Sequence, residues 1–533
     1  MPPTPSWLEI AVFYEIYPQT FFDSNGDGIG DLAGILQKLE YLQYLGVNAI
    51  WLNPCFASPF QDAGYDVSNY YQVAPRYGTN ADLEKLFAEA HRLGMHIFLD
   101  LVPGHTSVEN AWFKESCRPQ PNEYSDWYIW TDSVWTWSAP GVQTVIGYAQ
   151  RNANYITNFF HFQPALNYGF AVLDPKHPWQ QPVDAPGPRA VRKELRNIIK
   201  FWLDRGADGF RVDMAGSLVK HDADGKATAA VWQEIRRWLD RDYPQAALVS
   251  EWSRPTVAIP AGFHMDFMLP FARNGYNSLF RLFDPDDHTN TSFFHPNGGG
   301  DIRFFLDEYL VNFRSTREQG LIAIPSGNHD TTPRLGNERT PADLQLAFLF
   351  LLTMPGVPFL YYGDEIGMRS ADGLESKEGA YDRTGARTPM QWDDSANAGF
   401  STAPAEALYL PVEAKPRHRT VAAQRDDPES LLNHVRKLIE LRKEHPALGA
   451  SGSFKLVHAE KNAYPFVYTR TGGGETVLVA LNPAKSPCGV TLPGTLSKKP
   501  PQTLYGTENV FQRQGRKWLL KLPGVSGGLY LLS

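Results

Sequence analysis

At 533 residues, with 43% apolar and 20% charged residues, the chain exceeds one ordinary core and has the balance of a globular protein of two or three domains. A net charge of −8, with no basic run that could track phosphates, excludes a nucleic-acid binder. Cys55, Cys117 and Cys488 are too few, and odd in number, for a disulfide framework, so buried free thiols are expected.

The chain opens with "MPPTPSWLEIAVFYEIYPQ", which lacks a basic segment followed by an apolar one. A soluble, cytoplasmic protein is the expectation, unless an export signal has been removed. A first strand at "AVFYEIYP" leads into "DSNGDGIGD", with oxygen-bearing side chains at alternate positions around three glycines. Such a loop suits a hard cation such as Ca²⁺, with Asp23, Asn25 and Asp27 as side-chain ligands and Ile29 offering its carbonyl. The helix-loop-helix calcium pattern fails at its twelfth position, where Gly34 replaces a bidentate Glu. A polar Gly/Asn turn is the alternative.

Further strands are predicted at "NAIWLNP", "HIFLDLV", "GFRVD", "ALVSE", "MDFML", "IAIPSGN" and "VPFLYYG". "LAGILQKLEYLQYLG" and "DLEKLFAEAHRLG" carry helical periodicity and end in glycine. Eight strands alternating with helices predict a (β/α)₈ TIM barrel, whose chemistry sits at the C-terminal strand ends. Polar residues converge there: Asp100 and His105 after the third strand, Asp213 on the fourth, Glu251 on the fifth, His329 and Asp330 after the seventh. Residues 106–180 lack helical periodicity and read as an inserted subdomain. Its "YSDWYIWTDSVWTWSAPG" could stack sugars or fill a small core. The barrel is therefore assigned to 1–105 and 181–449, and 450–533 to a C-terminal antiparallel β-sandwich. The most apolar helix, "LQLAFLFLLTM", is cut by Pro355 and too short for a bilayer, so no membrane association is expected.

Glycoside cleavage needs two carboxyl groups across the scissile bond, one of them protonated. Asp213, Glu251 and Asp330 are far apart in sequence, and a barrel would gather them. Singly, each could cap a helix or pair with Arg. Together they carry a resemblance to the α-amylase family of glycoside hydrolases, especially its oligo-1,6-glucosidase, α-glucosidase and trehalose synthase branch. "DLVPGH" (100–105) resembles the first family signature, with Gly104 where Asn is usual, and "GFRVD" (209–213) matches the second. "SEW" (250–252) is similar to the third and "GNHD" (327–330) matches the fourth. The resemblance implies Asp213 as nucleophile, Glu251 as acid/base and Asp330 as transition-state stabiliser. "GYD" (64–66) and "RTPMQW" (387–392) resemble the terminal-glucose pocket, implying Tyr65 as a stacking platform and Asp66 and Arg387 as hydroxyl grips. "QPALN" (163–167) departs from QPDLN at Ala165. In this branch a loop of the "DSNGDGIGD" form holds a structural calcium, which implies Asp31 as a further ligand.

Arg211, two residues before Asp213 on one strand, faces the same way and is expected to keep Asp213 ionised. Glu251 must hold a proton, which calls for a partly desolvated setting. His105 and His329 are expected to bind hydroxyls, with a structural role as the alternative. The leading expectation is a retaining, exo-acting α-glucosidase on small-molecule α-glucosides, with transglycosylation as a side reaction. A trehalose synthase-like isomerase or glucosyltransferase is the rival, favoured by "LYLPV" (408–412). The intact triad argues against a non-catalytic binding relative. Met214, after the nucleophile, matches neither the Val associated with α-1,6 cleavage nor the small residues or Thr associated with α-1,4.

Overall fold

The computed structural model describes residues 4–137, 141–270, 274–298, 301–413, 416 and 418–533. Eight strands close a wholly parallel barrel: β1 (Phe13–Ile16), β2 (Ala49–Leu52), β3 (His96–Leu101), β4 (Gly209–Val212), β5 (Ala247–Ser250), β6 (Met265–Phe267), β7 (Leu321–Pro325) and β8 (Val357–Tyr361). All eight coincide with the strands predicted from sequence. Their near-continuous apolar character follows from burial on both faces. Outward residues such as Ile50, Leu99, Phe210 and Leu360 pack under the helices. Inward residues make a separate aromatic plug, in which Phe13 and Phe359 stack at 4.2 Å and Phe267 meets Trp51 and Phe359. Gly209 is what lets Phe98 lie flat in that plug, because a Cβ at 209 would stand 2.6 Å from its ring.

Side chains alternate along a strand, so two residues beyond each plug residue the chain again faces inward. Those positions are polar: Glu15 after Phe13, Asn53 after Trp51, Asp100 after Phe98, Arg211 after Gly209. Register places Asp100 beside Arg211 and Arg211 beside Val249. A polar ring thus rests directly on an apolar floor at the C-terminal end.

"LAGILQKLEYLQYLG" forms two helices rather than one, α1 (Leu32–Gln37) and α2 (Leu39–Leu45), meeting at Lys38. Between β3 and β4 the chain makes a long excursion with a short helix at Ala111–Ser116 and a hairpin of Gln143–Val145 with Tyr155–Thr157. Phe113, Trp130 and Tyr155 fill its small core, whereas Trp135 (80% exposed) and Trp137 (67%) face outward. Residues 138–140 of that Trp-rich stretch, and 1–3 of the assigned barrel segment, lie outside the described residues.

Antiparallel sheets follow the barrel. β9 (Ser453–His458), β10 (Phe466–Gly472), β11 (Glu475–Asn482), β13 (Gln502–Gly506) and β16 (Ser526–Leu531) form one, in the order β9-β10-β11-β16-β13. β12 (Cys488–Pro493), β14 (Phe511–Gln514) and β15 (Lys517–Leu522) form the other, with β15 central. Buried Arg470 ties this unit to the barrel by donating to the carbonyls of Thr353, Gly449 and Gly452. Cys55 is buried and Cys117 and Cys488 are half-buried; all three are unpaired. No described helix is long and apolar enough to cross a membrane.

Candidate active site

A cavity of about 640 Å³ opens at the C-terminal end of the barrel, and Asp213, Glu251 and Asp330 all line it. Asp213 follows β4, Glu251 follows β5, and Asp330 stands in the loop after β7. Arg211 is the hub beneath them. Its Nη1 donates to Asp100 Oδ1 (2.8 Å) and Asp213 Oδ1 (2.9 Å), and its Nη2 lies 2.9 Å from Glu251 Oε1. One guanidinium therefore serves three carboxylates in a buried site.

This sharing corrects the expectation that Arg211 simply keeps Asp213 ionised. Burial, followed by the negative charge of Glu251, pushes the Asp213 carboxyl well above the usual range, and Arg211 offsets only part of it. Asp330 is the opposite case. Burial works against its charge, but His329 (Nε2 to Oδ2, 3.2 Å), Arg383 (2.5 Å to Oδ1) and Arg387 (3.0 Å) hold it well below the usual range.

The two histidines also divide. Burial lowers the pKa of His329, yet Asp330 and then Glu15 raise it to about 9. Its Nδ1 donates to Glu15 Oε1 (2.8 Å), and its Nε2 meets Tyr65 Oη at 2.7 Å. Tyr65 in turn donates to Asp100 Oδ2 (2.9 Å), so His329 and Arg211 are joined through Tyr65 and Asp100. His105 is neutral, pushed down to about 3 by burial, with a smaller push from Lys220. Both His105 nitrogens face protein partners, Tyr65 O at 3.1 Å and Asn158 Nδ2 at 3.3 Å, although the ring lines the cavity.

Tyr65 and Arg387 line the cavity as expected; Asp66 does not. Asp66 is fully buried and turned into its own loop, accepting from Ser58 Oγ (2.9 Å), Gln61 N (2.9 Å) and Asp62 N (3.1 Å). A carboxylate spent on backbone N–H groups has no face for a sugar, so the hydroxyl grip assigned to Asp66 is corrected. Asp62 takes that place on the wall, held by Gln163 Nε2 at 2.7 Å, with burial lifting its pKa to about 6.

Sequence reasoning also missed Arg383 and Glu15. Arg383 lies four residues before Arg387 in the 3₁₀ stretch Tyr381–Arg387, where that spacing was the available signal. Glu15 is a lone charge inside an apolar strand, which marks a buried partner.

The loop of Asp23, Asn25, Asp27, Ile29 and Asp31 is wound by its own hydrogen bonds. Asn25 N donates to Asp23 (3.1 Å), Asp27 N to Asn25 (2.9 Å) and Ile29 N to Asp27 (2.9 Å). Asp31 caps α1 through Gly34 N (2.6 Å) and holds Ser24. Three carboxylates, an amide and a carbonyl fit a hard cation in kind. Among the described residues, however, no three His, Cys, Asp or Glu side chains already converge as a cage.

Comparison with known proteins agrees with this geometry. A model of the α-amylase catalytic domain matches residues 15–451, and a model of the maltogenic amylase C-terminal domain matches 454–527. The trehalose synthase/amylase TreS of Mycobacterium tuberculosis is 32% identical, covering 98% of this chain and 90% of its own length. The oligo-1,6-glucosidase of Parageobacillus thermoglucosidasius is 31% identical, covering 97% of each chain. An isomaltulose synthase variant from Erwinia rhapontici NX5, solved with D-glucose, superposes with a TM-score of 0.80 at 26% identity over 99% of both chains.

Proposed function

Because the chain belongs to the α-amylase family and is thus an enzyme that acts on α-glucosides, we propose that it is a retaining, exo-acting α-glucosidase of short α-glucosides. The observation that carries this reading is the bridging of Asp213 and Glu251 by one guanidinium. Two carboxyl groups brought together on one cavity supply the nucleophile and the acid/base that a retaining double displacement needs.

Asp213 is the nucleophile. Burial has already stripped its water, so with the single proton of the pair on Glu251 the Asp213 carboxylate attacks the anomeric carbon with little solvent reorganisation. Glu251 gives its proton to the departing oxygen and then takes one from the acceptor. Asp330, held as an anion by His329, Arg383 and Arg387, stabilises the oxocarbenium-like charge on the ring. Tyr65 offers its face to the glucose, while Asp62 and Arg387 close around the terminal hydroxyls. Water as acceptor gives hydrolysis; a sugar hydroxyl gives transglycosylation.

A second reading is isomerisation, in which the released sugar stays and reattaches through another hydroxyl. The trehalose synthase and isomaltulose synthase relatives favour it. Calcium is proposed as a structural ion of the Asp23–Asp31 loop: Asp23, Asn25, Asp27, the Ile29 carbonyl and Asp31 would hold it. It supplies charge neutralisation to the loop and no step of the reaction.

Time-resolved product analysis with maltose, isomaltose, sucrose and trehalose tests the function. Free glucose as the main early product supports the glucosidase. A new disaccharide at constant total disaccharide overturns it in favour of the isomerase.

A further inference from the structure

A hydrogen-bonded chain beside the cavity joins four segments of the protein and ends on Glu251. Lys220, after β4, donates from Nζ to Asn158 Oδ1 (2.7 Å) and to Ser217 O (2.8 Å). Asn158, from the excursion between β3 and β4, presents Nδ2 to His105 Nδ1 (3.3 Å) and to Ser217 Oγ (3.2 Å). Ser217 Oγ donates to Met214 O (2.9 Å), and Met214 N donates to Glu251 Oε2 (2.9 Å).

The donor and acceptor roles force one another. An ammonium cannot accept, so the amide oxygen of Asn158 must face Lys220 and its NH₂ must face His105. The Tyr65 carbonyl cannot donate, so His105 carries its proton on Nε2 and leaves Nδ1 as a lone pair for Asn158. Met214 occupies the left-handed region (φ 42°), where a side chain is strained, so its turn needs outside support. Space for the amide comes from Gly104: a Cβ there would lie 2.5 Å from Asn158 Nδ2. Gly104 does not have a positive φ, so alanine fits its backbone and would act only through Asn158.

We propose that Asn158, oriented by Lys220 and admitted by Gly104, is a positioning residue that donates to the His105 Nδ1 lone pair, fixing the orientation of the ring, and steadies the Met214–Ser217 turn on which Glu251 rests. This rests on the assignment of Glu251 as acid/base, and one arm of the test is independent of it. Gly104→Ala, Asn158→Ala and their double variant are compared in kcat and KM on maltose and on 4-nitrophenyl α-glucoside, with melting temperatures. Each single variant should lower kcat/KM on maltose by about 10- to 100-fold, as small misplacements of catalytic groups do. The aryl substrate, with its better leaving group, should lose less. Gly104→Ala should cost nothing further once Asn158 is alanine. Lys220→Arg should retain more activity than Lys220→Met, because Arg still donates to the amide oxygen. In parallel, ¹⁵N NMR of the histidines should show the Nε2–H tautomer of His105 in the parent and both single variants, with the Nδ1 resonance displaced in Asn158→Ala and Gly104→Ala as its hydrogen bond is lost. Independent, multiplicative effects of the two single variants, or an unmoved His105 Nδ1 resonance in both, overturns the proposal. An inactive parent with the Nδ1 resonance responding as expected would count against the glucosidase reading and not against the positioning.

Discussion

Asp213 and Glu251 share a single guanidinium: Asp213 Oδ1 lies 2.9 Å from Arg211 Nη1, and Glu251 Oε1 lies 2.9 Å from Nη2. Each nevertheless has its own half of the proposed reaction. Asp213→Ala should abolish turnover of every α-glucoside. Glu251→Gln should lose activity most on natural substrates, while an activated α-glucosyl fluoride still loads Asp213. Mass spectrometry of that variant should find one glucosyl unit on Asp213, and azide should release it as the α-azide. Wild-type enzyme should release α-glucose first. A β-anomer would contradict the retaining assignment.

Arg211→Lys should not rescue the pair. A lysine is a point charge and cannot span two carboxylates, so kcat should fall by about 10²-fold or more with little change in fold. Steady-state kinetics alongside circular dichroism would check this. Near-normal turnover would show that the bridge is dispensable.

Asp62 and Asp66 should separate function from stability. Asp62→Asn should depress kcat/KM on short α-glucosides at nearly unchanged melting temperature. Asp66→Ala leaves buried N–H donors without an acceptor and should cost about 1–3 kcal/mol in denaturant unfolding. Equal kinetic and stability losses in both variants would contradict the division of roles.

His329 should make stability fall on the alkaline side. Its folded pKa, about 9, lies above the ordinary histidine value near 6.5. The contribution is therefore fully present below about pH 6.5 and lost as pH rises through about 9. Asp330 is depressed, so its own contribution is present above the ordinary aspartate range and lost in acid. Melting temperatures between pH 6.5 and 9.5 should decline in the parent and decline less in His329→Gln. Parallel pH profiles would refute this.

Rigorous chelation should lower the melting temperature and added Ca²⁺ should restore it, because a ligand bound to the native state stabilises by mass action. Asp27→Ala should start low and ignore calcium. A parent without bound metal that is also indifferent to chelator would leave the loop to its own hydrogen bonds.

The barrel was legible in the sequence because its strands are apolar runs, and the third, fourth, fifth and seventh lead into polar residues at their ends. Asp213, Glu251 and Asp330 reach the cavity for that reason. The failures lie where loops turn. Whether Asp62 or Asp66 faces the cavity depends on left-handed turns at Phe60 and Ala63 (φ 61° and 49°), which no periodicity announces. Arg383 and Asn158 arrive from segments remote in the chain, and their partners exist only once it is folded. The sharing of Arg211 was hidden too, since strand spacing reveals which residues face one way and not how many claim the same charge.

Among the described residues, the aromatic plug of Phe13, Trp51, Phe98, Phe267 and Phe359 fills the barrel beneath the polar ring. In the proposed reaction, whatever attacks the glucosyl-enzyme would arrive through the opening by which the first sugar departs. In that scheme solvent and departing sugar compete for one doorway, and Phe159 and Trp252 are among the residues lining the cavity behind it. The balance between breaking sugars down and rebuilding them is thus a matter of traffic at that doorway, and substitutions at its frame can shift the balance while leaving the bond-making groups untouched.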